Sequence, residues 1–317
     1  MDRDVKKIDI NSDYLLTHCA VPFTLNKKTS KDKSKDIYSW NTASRFYPDE
    51  MKDGEIRLRY LRDNLESVGL DDVAMPDQPQ GDKLVEDCHE ITFEEFCSYY
   101  DSDRVKKDET IWNIEKNYTS IFMTKETFDR IKEKYGRKVA LVYPAADCAV
   151  VRYYDRKKEV VGLTHSNGYY TGLNEVGNMT KYMLSHFGSS LEDIEVFVGA
   201  HAREDWEYTG IPIFAVIKDE EGNIISYRGN WDEYIEALGD NRYLLHYGDM
   251  LFDQLVESGI DKDNIYFSPE NTLFNKDYFS HARSVIEGEK EGRNLFGITF
   301  DPEDVVEDKN NIGTILR

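Results

Sequence analysis

Two side chains in this sequence have the types and spacing to do chemistry together. They are Cys148, in Ala146-Asp147-Cys148-Ala149-Val150, and His165, in Thr164-His165-Ser166-Asn167-Gly168. Two β-rich runs, residues 149–154 and 159–164, flank Asp155-Arg156-Lys157-Lys158. Four polar residues between β-branched runs signal a hairpin. Closing that turn pairs Tyr154 with Glu159, and the same antiparallel register, carried to the open end, sets Cys148 directly across from His165. Direct cross-strand partners hold their Cβ atoms roughly 4.5–5.5 Å apart. A thiolate and an imidazole so placed suit zinc or copper, provided a third ligand joins them. They equally suit a nucleophilic cysteine whose thiol the histidine acidifies. The plain alternative is a small core cysteine beside a hydrogen-bonded strand-end histidine. Asp147 on one side and Ser166-Asn167-Gly168 on the other set the pair at the border of a polar loop.

Other residues invite the same question. His201 follows a strand end and could enter a site, or serve as an ordinary loop histidine. Arg203 and Arg283 could bind an anion, although exposed arginines usually do nothing specific. His281 reads as structural. His18 and Cys19 are adjacent, and neighbours on a strand point to opposite faces, so they make no metal pair. The acidic runs 92–103 and 302–308 read as solvated faces.

The elements that must position these residues are clearest in the middle of the chain. An apolar strand covers residues 138–143, and the hairpin follows. Residues 172–187 read as a helix ended by Gly188, and 194–199 as another strand. A second hairpin joins 212–216 to 224–227, helices are expected over 232–238 and 248–258, and a short strand over 265–268. Upstream, residues 53–68 repeat Ile56, Leu58, Leu61 and Leu65 at helical spacing, and 124–134 read as a helix capped by Thr124. Residues 25–37 and 76–82 read as polar loops, 91–117 hold several helical possibilities, and the acidic tail from 302 reads as poorly ordered. No internal repeat is visible. The pattern predicts one α/β (α+β) domain over residues 1–317, with a mixed β-sheet and a peripheral insertion.

Composition bounds the function. An apolar share of 40%, with 21 Tyr, 15 Phe and 4 Trp, is that of a folded chain. No apolar run is long enough to cross a bilayer, and five of the first seven residues are charged. Four cysteines without Cys-x-x-Cys spacing read as reduced thiols. A cytoplasmic protein without membrane partners is expected. The formal charge of −21 repels phosphate backbones, so nucleic acid is not an expected partner, while a local basic pocket still permits a small anion.

At the Cys148 and His165 motifs the sequence resembles the YfiH/YlmD-type proteins. These are called multicopper polyphenol oxidoreductases or laccase-domain proteins, and are regarded as purine nucleoside phosphorylases with adenosine deaminase activity. Residues 146–150 are similar to the family's Ala-Asp-Cys-x-Pro, and residues 164–172 take the place of its His-x-Gly-Trp-Arg-Gly. Val198-Gly199-Ala200-His201 resembles its Gly-Pro strand end, and Glu207-Tyr208-Thr209-Gly210 its Tyr-Glu-Val-Gly. Tyr278-Phe279-Ser280-His281-Ala282-Arg283 resembles Phe-Phe-Ser-x-Arg, and Gly292-Arg293 the terminal Gly-Arg. The matches run in order over about residues 55–300, with 211–243 divergent.

The resemblance implies a YfiH-like fold related to the catalytic domain of cytotoxic necrotizing factor toxins. It implies a metal-assisted enzyme that phosphorolyses or deaminates adenosine-like nucleosides, with phosphate as co-substrate. Cys148 and His165 would be catalytic and hold zinc or copper, and Gln80, Arg283 and Arg293 would contact substrate. Two departures stand out. Gln80 occupies the place of a metal-binding histidine, with His89 the nearby substitute, and Tyr169-Tyr170 replace the Trp-Arg pair. The two donors left uncompleted keep two alternatives open: a metal-free Cys–His hydrolase or deamidase, and a non-catalytic relative that binds a small molecule.

Overall fold

Two β-sheets, each with parallel and antiparallel neighbours, carry the fold among the described residues. The computed structural model describes the backbone of residues 14–18, 23–29, 36–42, 71–76, 86–102, 111–114, 118–203, 207–289 and 292–300. The first sheet holds β1 (Tyr14–His18), β2 (Phe23–Thr29), β3 (Asp36–Thr42), β4 (Asp72–Pro76), β6 (Ile111–Ile114), β8 (Val139–Ala145) and β18 (Asn294–Phe300). Their spatial order is β1-β2-β3-β18-β8-β4-β6. The second holds β5 (Glu86–Glu90), β7 (Tyr118–Thr124), β9 (Ala149–Asp155), β10 (Val160–Ser166), β11 (Ile194–Val198) and β17 (Ile265–Phe267). Its order is β17-β11-β9-β10-β7-β5. The mixed-sheet α/β architecture expected from sequence is therefore present, as two large sheets.

Alternation along the central strands explains how the sheets stack. Val150 and Tyr154 of β9, Val161 and Leu163 of β10, and Ile121 and Met123 of β7 point to one face. There they meet Leu141 of β8 and Phe296 and Ile298 of β18 in one apolar core. Ala149, Val151 and Tyr153 point the other way, because successive strand side chains alternate. They pack on α4 (Glu175–Tyr182) and α5 (Tyr247–Glu257) through Val176, Met179, Met250 and Leu251. A strand buried on both faces reads as a continuous apolar run, and β9 is buried throughout. Among the described residues four more helices frame the sheets or the site: α1 (Phe93–Tyr100), α2 (Lys125–Tyr135), the short α3 (Gly168–Gly172) and α6 (His281–Glu287). The Thr124 side chain caps α2 as expected, accepting from the Thr127 N–H at 3.2 Å, and Gly136 ends it at φ 65°.

The hairpin forms, but its turn closes one residue later on each strand than expected. Asp155 pairs with Val160, so His165 faces Val150 and not Cys148. The reason is the turn chemistry. Asp155 Oδ1 accepts the backbone N–H groups of Lys157 and Lys158, each at 2.8 Å, and Glu159 takes a left-handed φ of 54°. Cys148 lies in the bend before β9 rather than in the strand. The offset is even, so Val150, two residues on from Cys148, is the partner of His165.

Other expectations divide. The helix expected over 172–187 appears as the short α3 (Gly168–Gly172), then α4, then a π-turn over Met183–Phe187 ended at Gly188. Residues 232–238 are not a helix. A 3-10 turn at Trp231–Glu233 leads into β15 (Ile235–Gly239), because Gly239, Asp240 and Asn241 all take positive φ and turn the chain back into β16 (Arg242–Leu245). The hairpin expected after residue 212 narrows to β13 (Val216–Lys218) and β14 (Ile224–Tyr227), while β12 (Glu207–Thr209) joins β16. The expected helix over 53–68, the loop at 76–82 beyond Pro76, and the tail from 302 lie outside the described residues. Among the described residues no helix is long and apolar enough to cross a membrane.

Candidate functional site

The bend that carries Cys148 is held by the residue before it. Asp147 Oδ1 accepts the Thr272 hydroxyl at 2.8 Å, and Oδ2 accepts the Ser280 hydroxyl at 3.0 Å and the Ala282 N–H at 2.7 Å. The Asp147 carbonyl accepts the Ala202 N–H at 2.8 Å. One carboxylate thus stitches the entry of β9 to the start of α6 and to the loop after β11. Ser280 serves twice, since its oxygen also caps α6 by accepting the Arg283 N–H at 3.2 Å. The remaining end of the bend is fixed from the helical side: the Tyr247 hydroxyl accepts the Ala149 N–H at 3.0 Å and donates to the Ser166 carbonyl.

Cys148 and His165 share one electrostatic neighbour. Burial pushes the Cys148 thiol up to about 12, with the Asp147 carboxylate adding to the rise and the Arg293 guanidinium opposing it. Burial, with a smaller push from Arg293, lowers His165 to about 3. At neutral pH the pair is accordingly a thiol and a neutral imidazole beside a cation. His165 stacks on Tyr143 of β8, ring centroids 4.4 Å apart and planes 16° apart.

Cys148 opens onto a cavity. Its wall is aromatic and apolar: Tyr208, Phe214, Trp231, Leu245 and Tyr247, all from the region after residue 206. Asp147, Cys148 and Arg203 contribute its polar rim. The Trp231 indole N–H is committed to the Gly168 carbonyl at 3.0 Å, so that tryptophan both walls the cavity and pins the start of α3. Asn167 caps the same helix, accepting the Tyr170 N–H at 2.9 Å. Burial, then the nearby Asp147 and Cys148, holds the Tyr208 hydroxyl well above its ordinary range and therefore protonated.

The remaining predicted residues separate clearly. Arg293 lies with the pair. Arg283 is 3% exposed, and its guanidinium donates to the carbonyls of Thr272, Asn275 and Tyr278 and to Glu289, so it braces the loop before α6 instead of presenting its fork to a substrate. His201 is buried against Tyr247 and Phe267, and its Nδ1 donates to the Gly199 carbonyl at 2.8 Å. His89 contacts Glu95 at 3.1 Å and stacks on Tyr118. Tyr170 is buried, while Tyr169 carries the Arg228 guanidinium over its ring at 4.1 Å. Gln80 lies outside the described residues. Sequence reasoning passed over the aromatic wall and the role of Asp147. The wall had no signal beyond a scatter of aromatics in a divergent segment, and Asp147 had only its place beside Cys148.

Among the described residues no group of three His, Cys, Asp or Glu is fit to hold a metal ion; Cys148 and His165 themselves offer one sulfur and one nitrogen.

The cysteine-bearing bend and the aromatic cavity lie together in a mixed α/β fold. Residues 110–301 match the family described as multi-copper polyphenol oxidoreductase laccase, more than half of the 317-residue chain, and the protein belongs to that family. The fold is shared with YlmD from Geobacillus stearothermophilus, at a TM-score of 0.61 and 16% identity over 90% of this chain and 99% of that one. It is shared also with the Bacillus licheniformis hypothetical protein YfiH, at a TM-score of 0.57 and 17% identity over 89% of this chain and 98% of that one. In sequence the chain is 37% identical over 65 residues to a purine nucleoside phosphorylase of Borreliella burgdorferi. That stretch covers 20% of this chain and 28% of the relative, under a third of its length.

Proposed function

We propose that the protein is a purine nucleoside enzyme, phosphorolysing or deaminating adenosine-like substrates at the cavity beside Cys148. The observation that carries this reading is the cavity itself. Its aromatic wall offers a flat apolar surface to a base, and its rim holds a thiol and a cation. The family membership and the 65-residue likeness to a purine nucleoside phosphorylase support the same substrate class. On this reading Phe214 and Tyr208 bury the base, Arg293 draws negative charge towards Cys148 and His165, and Asp147 keeps the bend in place without touching substrate. The zinc or copper implied by the family would need a third donor beside Cys148 and His165. The test incubates the full chain with adenosine and phosphate and follows adenine and inosine by chromatography. Adenine release that requires phosphate supports phosphorolysis, inosine release supports deamination, and no turnover at stoichiometric enzyme sinks the proposal.

The two-donor set favours a second reading, a metal-free cysteine hydrolase or deamidase. Its weak point is the thiol, which burial keeps protonated. Metal analysis of the purified protein and of Gln80→His separates the two: retention of zinc or copper only by the variant places position 80 at the site.

A further inference from the structure

Away from the cavity, a second group of reactive side chains gathers where the end of α1 meets the end of α2. Lys134 Nζ lies 3.4 Å from Cys97 Sγ and 3.5 Å from Asp101 Oδ2, and the Tyr135 hydroxyl donates to that same Oδ2 at 2.8 Å. Cys97 and Asp101 are one helical turn apart, so both face Lys134 and Tyr135. Packing builds this approach. The Tyr135 ring meets Phe96 and Tyr100, centroids 5.8 and 4.5 Å away. Arg130, one turn earlier on α2, sits over the Phe93 ring at 4.0 Å and donates to Glu94 at 3.0 Å. The two helices thus hold sulfur and nitrogen in contact although 37 positions separate them.

Access sets this thiol apart from Cys148, whose proton burial retains. Cys97 is half-buried and the Lys134 side chain is 47% exposed, so a small solute reaches both reacting atoms. The thiolate is the form of a cysteine that attacks peroxides, and here an ammonium at hydrogen-bond distance is its counter-charge. Hydrogen bonds to Tyr135 first and Cys97 second, with the Asp101 charge, hold Lys134 above its ordinary range, so the ammonium is the resting form. Residues 103–110 lie outside the described residues, so what carries weight is the distance between two reacting atoms rather than a balance of charge.

We infer that Cys97 and Lys134 are a peroxide-driven modification site, closing a reversible S–N bond that ties α1 to α2. The Cys97 thiolate gives an electron pair to one oxygen of hydrogen peroxide and becomes a sulfenic acid as the O–O bond breaks. The departing hydroxide takes a proton from the Lys134 ammonium and leaves as water. The amine freed in this way attacks the sulfenyl sulfur, the S–O bond breaks, and that hydroxide leaves with an amine proton as a second water. One thiolate, one ammonium and one peroxide give one sulfenamide and two waters, with sulfur oxidised by two electrons and peroxide reduced by two. Two equivalents of a thiol reductant reverse the bond, returning thiol and amine and forming a disulfide of the reductant.

The experiment exposes the full chain to a graded series of hydrogen peroxide, digests it with trypsin and reads the peptides by tandem mass spectrometry, with and without dithiothreitol. The expected product is a peptide pair joined through Cys97 and Lys134. It is lighter than its two parts by two hydrogen atoms, uncut after Lys134, and separated by dithiothreitol. Fragment ions assign the sulfur, because Cys88 and Cys97 share one tryptic peptide. Lys134→Arg keeps a charge beside the sulfur and removes the amine, so Cys97 oxidises onward to sulfinic acid and no pair forms. Lys134→Gln removes the charge as well, and Cys97 oxidation slows by roughly 3- to 10-fold. Both substitutions fall on an exposed side chain and leave the fold in place. Wild-type Cys97 that reaches sulfinic acid with no linked pair overturns the bond, as does a pair carrying one further oxygen. Cys97 left reduced at peroxide concentrations that oxidise Cys88, or oxidised equally fast in Lys134→Gln, overturns the part given to the ammonium. Neither readout needs turnover, so the test stands apart from the nucleoside reading.

Discussion

Replacing Asp147 by asparagine isolates the work of one carboxylate. The amide keeps an oxygen for the Thr272 hydroxyl, but its nitrogen then faces the Ser280 hydroxyl and the Ala282 N–H, both of which donate to Oδ2 in the wild type. Hydrogen bonds to a charged group are worth about 1.5–3 kcal/mol each. The bend is half-buried, so water recovers part of two such losses, and the expected destabilisation is about 2–4 kcal/mol. In a thermal melt of a chain this long that is a fall of roughly 3–6 °C. Asp147→Ala should lose more, and Thr272→Val, which removes one donor, roughly 1 kcal/mol. The assay pairs circular-dichroism melts with the rate at which iodoacetamide modifies Cys148, because a loosened bend admits the reagent. Melting of Asp147→Asn within about 0.5 kcal/mol of wild type, with unchanged Cys148 modification, would refute the claim that this carboxylate holds the site.

Three further outcomes follow from the same geometry. His165 sits near 3 in the folded protein against an ordinary 6.5, so the unfolded chain takes up its proton first as pH falls. This contribution is constant above about 6.5 and is lost progressively from there down towards about 3, reaching up to roughly 2 kcal/mol by about pH 5. Urea unfolding of wild type and His165→Gln at both pH values checks it, and equal losses in the two proteins contradict it. With its thiol pushed up to about 12, Cys148 should alkylate well below the rate of a model thiol at pH 8, rising steeply towards alkaline pH; mass spectrometry of digests would expose a fast-reacting Cys148 and rescue the nucleophile reading. A methyl group added at Gly168 would collide with the Phe214 ring, so Gly168→Ala should cost about 1–3 kcal/mol and disturb the cavity wall, and an unaltered melt argues against that packing.

Local signals in this chain were strong where an element is decided by its own residues. Alternation over residues 149–154 and 159–164 and the polar turn between them determined the central hairpin, just as Thr124 and Gly136 bound α2. The structure gathers the motif residues Cys148, His165 and Arg293 into one electrostatic neighbourhood. Residues 231–238 misled, because Trp231, Tyr234, Ile235 and Leu238 are spaced like a helix face. The three positive-φ residues that follow return the chain as a hairpin, which buries Trp231 and pairs β15 with β16. The hairpin register turned on a side chain capping its own turn, an effect of one residue that a count of loop length does not contain. Only the tertiary structure decided the site. Asp147 meets Thr272, Ser280 and Ala282 more than a hundred positions away, and Cys148 meets a wall drawn from residues 208–247. Such contacts are set by how two sheets and a helical layer share buried surface, and no periodicity within either segment encodes which distant partner that burial brings near.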